Sequence, residues 1–138
     1  MTNGKILIAD DDPVVLESLA IRLKATGYEV LCSKTGQQAV AAAKKHSPDV
    51  MLLDINMPSG DGFSVHESVC NLENMKRTPV VYLTGDRSEG VWVEAHSMGA
   101  FALVRKPFDT DILLSVIAGA VGESLAAKEV LFRPQLPA

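Results

Sequence analysis

Five short apolar runs, each followed by a stretch with helical spacing, constrain this chain more than any other feature. The runs cover residues 5–9, 29–32, 50–53, 80–83 and 101–104. Several are apolar on successive rather than alternate residues, which suits strands buried on both faces of a parallel sheet. Between them the spacing predicts helices over 13–26, 36–46, 62–73, 88–98 and 109–122. In the first, Val15, Leu16, Leu19 and Leu23 share one side, while Glu17, Arg22 and Lys24 fall elsewhere. Asp12 suits its N-cap, Pro13 its first turn and Gly27 its stop. The order βαβαβαβαβα, with connections short enough for right-handed crossovers, predicts an α/β fold: a doubly wound parallel sheet of five strands.

The commonest order for such a sheet is 2-1-3-4-5, and ligands then sit at the carboxyl ends of strands 1 and 3, where the order reverses. The chain puts acids at both places. Strand 1 runs out into Asp10, Asp11 and Asp12, and strand 3 into Asp54 within "VMLLDINMPSGDG". Two carboxylates 5 Å apart repel by roughly 3 kcal/mol at an effective dielectric near 20. Three or four oxygens from Asp10, Asp11 and Asp54 would offset that cost by holding a hard cation, for which Mg²⁺ is the best match and Mn²⁺ a second occupant. Strand 4 ends "VVYLTGD", bringing the Thr84 hydroxyl to the same edge, and strand 5 leads through "LVRKPF" to Lys106. Acids, a hydroxyl and an amine beside Mg²⁺ are the parts phosphoryl transfer needs, with an aspartate able to serve as nucleophile.

These residues carry a family resemblance. Across residues 4 to about 122 the chain resembles the receiver domains of bacterial two-component response regulators, through "ADDDP", "LLDINMPSGDGF", "LTG" and "RKPF" in that order. Each motif is weak alone, and the four together are strong. The resemblance implies a flavodoxin-like (βα)5 fold and a phosphorylation-controlled signalling switch. Asp54 would accept a phosphoryl group from a histidine kinase or histidine phosphotransfer protein. Asp10 and Asp11 would ligate Mg²⁺, with Asp54 and the Asn56 main-chain carbonyl completing the protein's share. Thr84 would hydrogen-bond a phosphoryl oxygen, and Lys106 would pair with Asp54 and then with the phosphate. It also implies a cis Lys106-Pro107 bond. Such a chain is not an enzyme with a turned-over substrate; it assists its own phosphorylation and dephosphorylation. Leu103 departs from the family, in which many members carry a Tyr or Phe three residues before the lysine.

A haloacid-dehalogenase phosphatase also uses an Asp after a strand, but needs a second acid two residues on, where this chain has Asn56. The phosphate loops of nucleotide-binding α/β domains are missing. Gly60-Asp61-Gly62 reads as a turn into the third helix. His46, His66 and His96 are scattered and read as surface residues. Trp92, the one tryptophan, lies at the margin of a stripe made by Val91, Ala95 and Met98, divided between core packing and partner contact. The face formed by the fourth helix, fifth strand and fifth helix is the expected surface for an output partner or a homodimer.

Bulk properties agree with this. At 138 residues, 47% hydrophobic and 22% charged, the chain is one globular domain's worth. A net charge of −4 gives no support to direct nucleic-acid binding by this chain. Cys32 and Cys70 lack metal-type spacing and fit a reducing cytoplasm. No apolar run approaches the ~18 residues of a membrane span, and no signal-peptide core opens the chain. Residues 1–122 are expected to form the receiver domain. In 123–138, "ESLAAKEV" could extend the fifth helix, whereas "RPQLPA" reads as tail or linker. A stand-alone receiver and the receiver part of a longer protein both remain open.

Overall fold

The computed structural model describes residues 3–57, 60–86 and 88–130, with side chains as far as residue 125. Five parallel strands, β1 (Lys5–Ala9), β2 (Glu29–Ser33), β3 (Val50–Asp54), β4 (Val80–Thr84) and β5 (Ala102–Arg105), lie in the order β2-β1-β3-β4-β5. The helices α1 (Pro13–Ala25), α2 (Gly36–His46), α3 (Gly62–Cys70), α4 (Glu89–Ser97) and α5 (Thr110–Val130) connect and cover them. This is the expected flavodoxin-like arrangement.

Strand pleating divides the core in two, because successive side chains point to opposite faces. Ile6, Ile8, Val50, Leu52, Val81 and Leu83 pack beneath α1 and α5, meeting Leu16, Leu19, Leu23, Leu113 and Ile117. Leu7, Ala9, Met51, Leu53, Val80 and Tyr82 pack beneath α2, α3 and α4, meeting Ala39, Ala43, Val65, Val69 and Ala95. Burial on both sides is why the strands read as continuous apolar runs.

The helix ends follow local chemistry. Asp12 caps α1 by accepting from the Val14 N–H at 2.9 Å, and Gly27 follows its last turn at φ 98°. Thr35, Asp61 and Ser88 cap α2, α3 and α4 in the same way. Several boundaries differ from expectation or settle an open one. Helix α3 ends at Cys70, because the Cys70 thiol and the Asn71 amide both donate to the Glu67 carbonyl; a short 3-10 turn, Glu73–Met75, follows. Strands β3 and β4 each run one residue further and take Asp54 and Thr84 into the ladder. Helix α5 continues through "ESLAAKEV" to Val130, a stretch of good helix formers without glycine or proline. The reading of "RPQLPA" as tail lies outside the described residues.

The surface reading of His66 is corrected, and the open reading of Trp92 is decided. His66 is buried, since it shares the inward face of α3 with Gly62, Val65 and Val69. Trp92 is 51% exposed and stacks on His96, with ring centroids 5.5 Å apart and planes within 1°. Among α4 side chains Ala95 is the buried one, so the helix anchors by a narrow contact and leaves its indole outside.

Candidate functional site

The site forms where β1, β3, β4 and β5 end. Asp10 follows β1, and its N–H donates to the Ser33 carbonyl of β2 at 3.1 Å, so the chain stays pinned past the last ladder residue. Asp54 and Thr84 are ladder residues, paired in register with Leu83 and Arg105. The Lys106 N–H donates to the Thr84 carbonyl at 2.7 Å, and the Lys106-Pro107 bond is cis. The sheet therefore positions these groups through its backbone.

Asp10 is fully buried and accepts two hydrogen bonds, from the Asp12 N–H on Oδ1 at 2.9 Å and from Lys106 Nζ on Oδ2 at 2.8 Å. Asp54 is 4% exposed; its Oδ1 accepts from the Asn56 N–H at 3.2 Å, and its Oδ2 lies 3.5 Å from Lys106 Nζ. Lys106 thus bridges both acids, with Asp10 the nearer. Asp11 is exposed, yet carboxylate oxygens of Asp10, Asp11 and Asp54 all lie within 4.8 Å of one another. Thr84 is fully buried, and its Oγ1 accepts from the Asp86 N–H at 2.9 Å, leaving the hydroxyl proton to donate elsewhere.

Electrostatics follow from this packing. Burial pushes the Asp54 carboxyl up to about 6, and the Asp10 charge adds to it. The Asn56 N–H and the Lys106 charge pull it down only in part, and Asp11 adds a further rise. For Lys106 burial pulls downward, but the Asp10 hydrogen bond and charge, with those of Asp54, outweigh it and hold the amine above its usual range. The cluster is two buried acids and one exposed acid against a single amine, an anionic recess.

Gly62 shows why a glycine opens α3. A Cβ there would lie 2.8 Å from the Asp54 carbonyl oxygen and 3.1 Å from the Ile55 Cα, both backbone atoms that cannot yield cheaply. Helix α3 therefore begins flush against the end of β3, and the Gly62 N–H donates to the Ile55 carbonyl at 3.0 Å. Gly60-Asp61-Gly62 is the expected turn, with the further task of close approach.

The family model described as the response regulator receiver domain matches residues 6–118. The chain belongs to this family. Among its relatives, the transcriptional regulatory protein KdpE of Mycobacterium tuberculosis is 35% identical over 125 residues, 91% of this chain and 54% of that protein. The receiver domain thus spans about half the length of that relative. The chemotaxis response regulator CheY4 of Vibrio cholerae superposes with a TM-score of 0.79 at 32% identity, covering 85% of this chain and 98% of that one. The receiver domain of the sensor histidine kinase PA1611 of Pseudomonas aeruginosa, solved with a magnesium ion coordinated in its active-site cleft, superposes at 0.79 with 28% identity, over 86% of this chain and 98% of that one. No helix among the described residues is long and apolar enough to cross a membrane.

Proposed function

We propose that this receiver domain is a phosphorylation-controlled switch in which Asp54 takes a phosphoryl group. The observation that carries the reading is the convergence of Asp10, Asp11 and Asp54 within 4.8 Å, with Lys106 Nζ 3.5 Å from Asp54. The residues fit a magnesium ion. Three carboxylates whose oxygens gather within 4.8 Å are the hard oxygen donors this ion takes. Asp10, Asp11 and Asp54 would hold it, with the Asn56 main-chain carbonyl, and Mn²⁺ would suit the same donors. Bound there, the ion would neutralise charge on the carboxylates and on the transferring phosphoryl oxygens.

A free Asp54 oxygen would attack phosphorus as the bond from phosphorus to the donor breaks, and the leaving group would keep that electron pair. The donor is a phosphohistidine of a histidine kinase or histidine phosphotransfer protein, or a small acyl phosphate. Lys106 would pair with a phosphoryl oxygen, and the Thr84 hydroxyl would donate to another. The chain assists its own phosphorylation and later hydrolysis instead of turning over a substrate. Acetyl phosphate with Mg²⁺ should give one acid-stable, base-labile adduct by intact mass, lost in EDTA and in Asp54→Ala. Undiminished labelling of Asp54→Ala would refute the assignment.

The output surface we propose is the face of α4, β5 and α5, offered to an effector partner or a second copy. Trp92 and Val93 of α4 are half exposed and Phe101 partly so, large apolar side chains of the kind that anchor interfaces. Leu103 of β5 is half-buried against the core, in place of the larger ring many family members carry. Trp92 emission should change when beryllofluoride and Mg²⁺ are added. An unchanged spectrum would remove Trp92 as a reporter of the phosphorylated state.

A further inference from the structure

His66 and Tyr82 form a buried polar pair that the phosphoacceptor chemistry does not use. The Tyr82 ring is fully buried on β4, packs edge-on against Phe63 of α3 with centroids 5.0 Å apart, and sets its hydroxyl on His66 Nδ1. Burial, then the Glu94, Asp61 and Cys70 charges, hold the phenol far above the usual tyrosine range, so it keeps its proton. Burial also pushes the His66 imidazole down, so it stays neutral at pH 7. Both groups are then neutral, and one hydrogen bond joins the hydroxyl to Nδ1.

Such a pair is an odd choice for packing alone. Phe and Leu would fill the same space with no polar atom to satisfy, and either polar group is costly once its partner is lost. A satisfied buried hydrogen bond adds direction, fixing one element against another. Its place in the fold says which elements those are. His66 lies one turn below Gly62 on the same face of α3, about 6 Å along the axis. Tyr82 lies two residues below Thr84 on the same face of β4, about 6.6 Å along the strand. The His66–Tyr82 contact is thus a level rung, one step beneath Gly62 and Thr84. Above it, Gly62 abuts the Asp54 backbone, where even a Cβ would come to 2.8 Å.

We propose that His66 and Tyr82 are a positioning pair, locking α3 to β4 so that the Thr84 hydroxyl is held at a fixed place relative to Asp54 during phosphoryl transfer. The inference rests on the phosphoacceptor reading of Asp54. The acids that would bind the cation are carried by β1 and β3, off this rung.

The test compares wild type, Tyr82→Phe and the double variant Tyr82→Phe/His66→Leu in three measurements: urea midpoint, Mg²⁺ affinity by calorimetry, and the rate of acetyl phosphate labelling. In Tyr82→Phe the rate should fall roughly threefold to tenfold, less than the hundredfold an ångström of misplacement costs, with Mg²⁺ affinity unchanged. The double variant, with both polar groups removed, should regain stability but not rate. Recovery of rate along with stability in the double variant would make the pair merely structural. A wild-type rate in Tyr82→Phe, or a parallel loss of Mg²⁺ affinity, would also overturn the proposal. A wild type that takes no phosphoryl group fails the phosphoacceptor reading itself and this one with it. Labelled wild type with unaltered variants fails only the pair.

Discussion

Lys106→Met should destabilise the metal-free fold by about 2–3 kcal/mol and tighten Mg²⁺ binding at the same time. The lysine amine is the cation that faces Asp10 at 2.8 Å and Asp54 at 3.5 Å. Asp10 is fully buried, so removing the amine leaves its charge with the Asp12 N–H as its remaining partner. Breaking one side of a buried pair costs about 3–5 kcal/mol. The expected loss sits at or below the lower end of that range because the Lys106 side chain is 25% exposed and the recess opens to solvent. Methionine keeps the apolar stem, so lost packing contributes little. An added divalent ion no longer competes with a neighbouring positive charge, and its affinity should rise on the order of tenfold, equivalent to ~1.4 kcal/mol. Urea melts in EDTA should show the loss, and melts in saturating Mg²⁺ should show most of it recovered. Unchanged stability in EDTA, or weaker Mg²⁺ binding, would mean that Lys106 does not neutralise these acids.

The parts of this site that were legible in the chain are those where chemistry concentrates at strand ends. Asp10, Asp11, Asp54, Thr84 and Lys106 each follow or close an apolar run, and sheet order brings four such ends to one edge. Distances were not legible. The resemblance implies Lys106 paired with Asp54, and the nearer oxygen belongs to Asp10, because that depends on how far the backbone after β5 reaches across the sheet. Strand ends were underestimated where the closing residue is polar, since Asp54 and Thr84 continue the hydrogen-bonded ladder while breaking the apolar pattern. His66 departs from its surface reading for a related reason. Its spacing to Gly62 and Val69 places it inward, but a buried histidine is credible only with a partner, and Tyr82 lies sixteen residues away on another element. Trp92 was ambiguous because α4 buries so little that periodicity could not choose its inner face.

Asp54→Asn should stabilise the metal-free protein at neutral pH while abolishing phosphorylation, and the gain should vanish in acid. Native Asp54 holds its proton up to about 6, from an ordinary value of 3.8, chiefly through burial and the Asp10 charge. Below about pH 4 the carboxyl is protonated in both folded and unfolded chains and costs nothing. Between about 4 and 6 the unfolded chain has released the proton that the folded chain retains, so stability falls as pH rises. Above that range both states are ionised, and the folded state carries the full penalty. Two units of pKa correspond to roughly 3 kcal/mol, which counter-ions and water in an open recess reduce to about 1 kcal/mol. Asparagine cannot ionise, and its carbonyl can still accept from the Asn56 N–H. The variant's advantage should therefore be near zero at pH 4 and complete above pH 7. Mg²⁺ should stabilise the wild type by roughly 1.4 kcal/mol at ten times its dissociation constant, and the variant by less, having lost one anionic ligand. Urea melts of both proteins across this pH range, in EDTA and in Mg²⁺, measure each effect. An Asp54→Asn protein less stable than wild type in EDTA at pH 7, or equal Mg²⁺ shifts in the two, would show that the three acids do not act as one site.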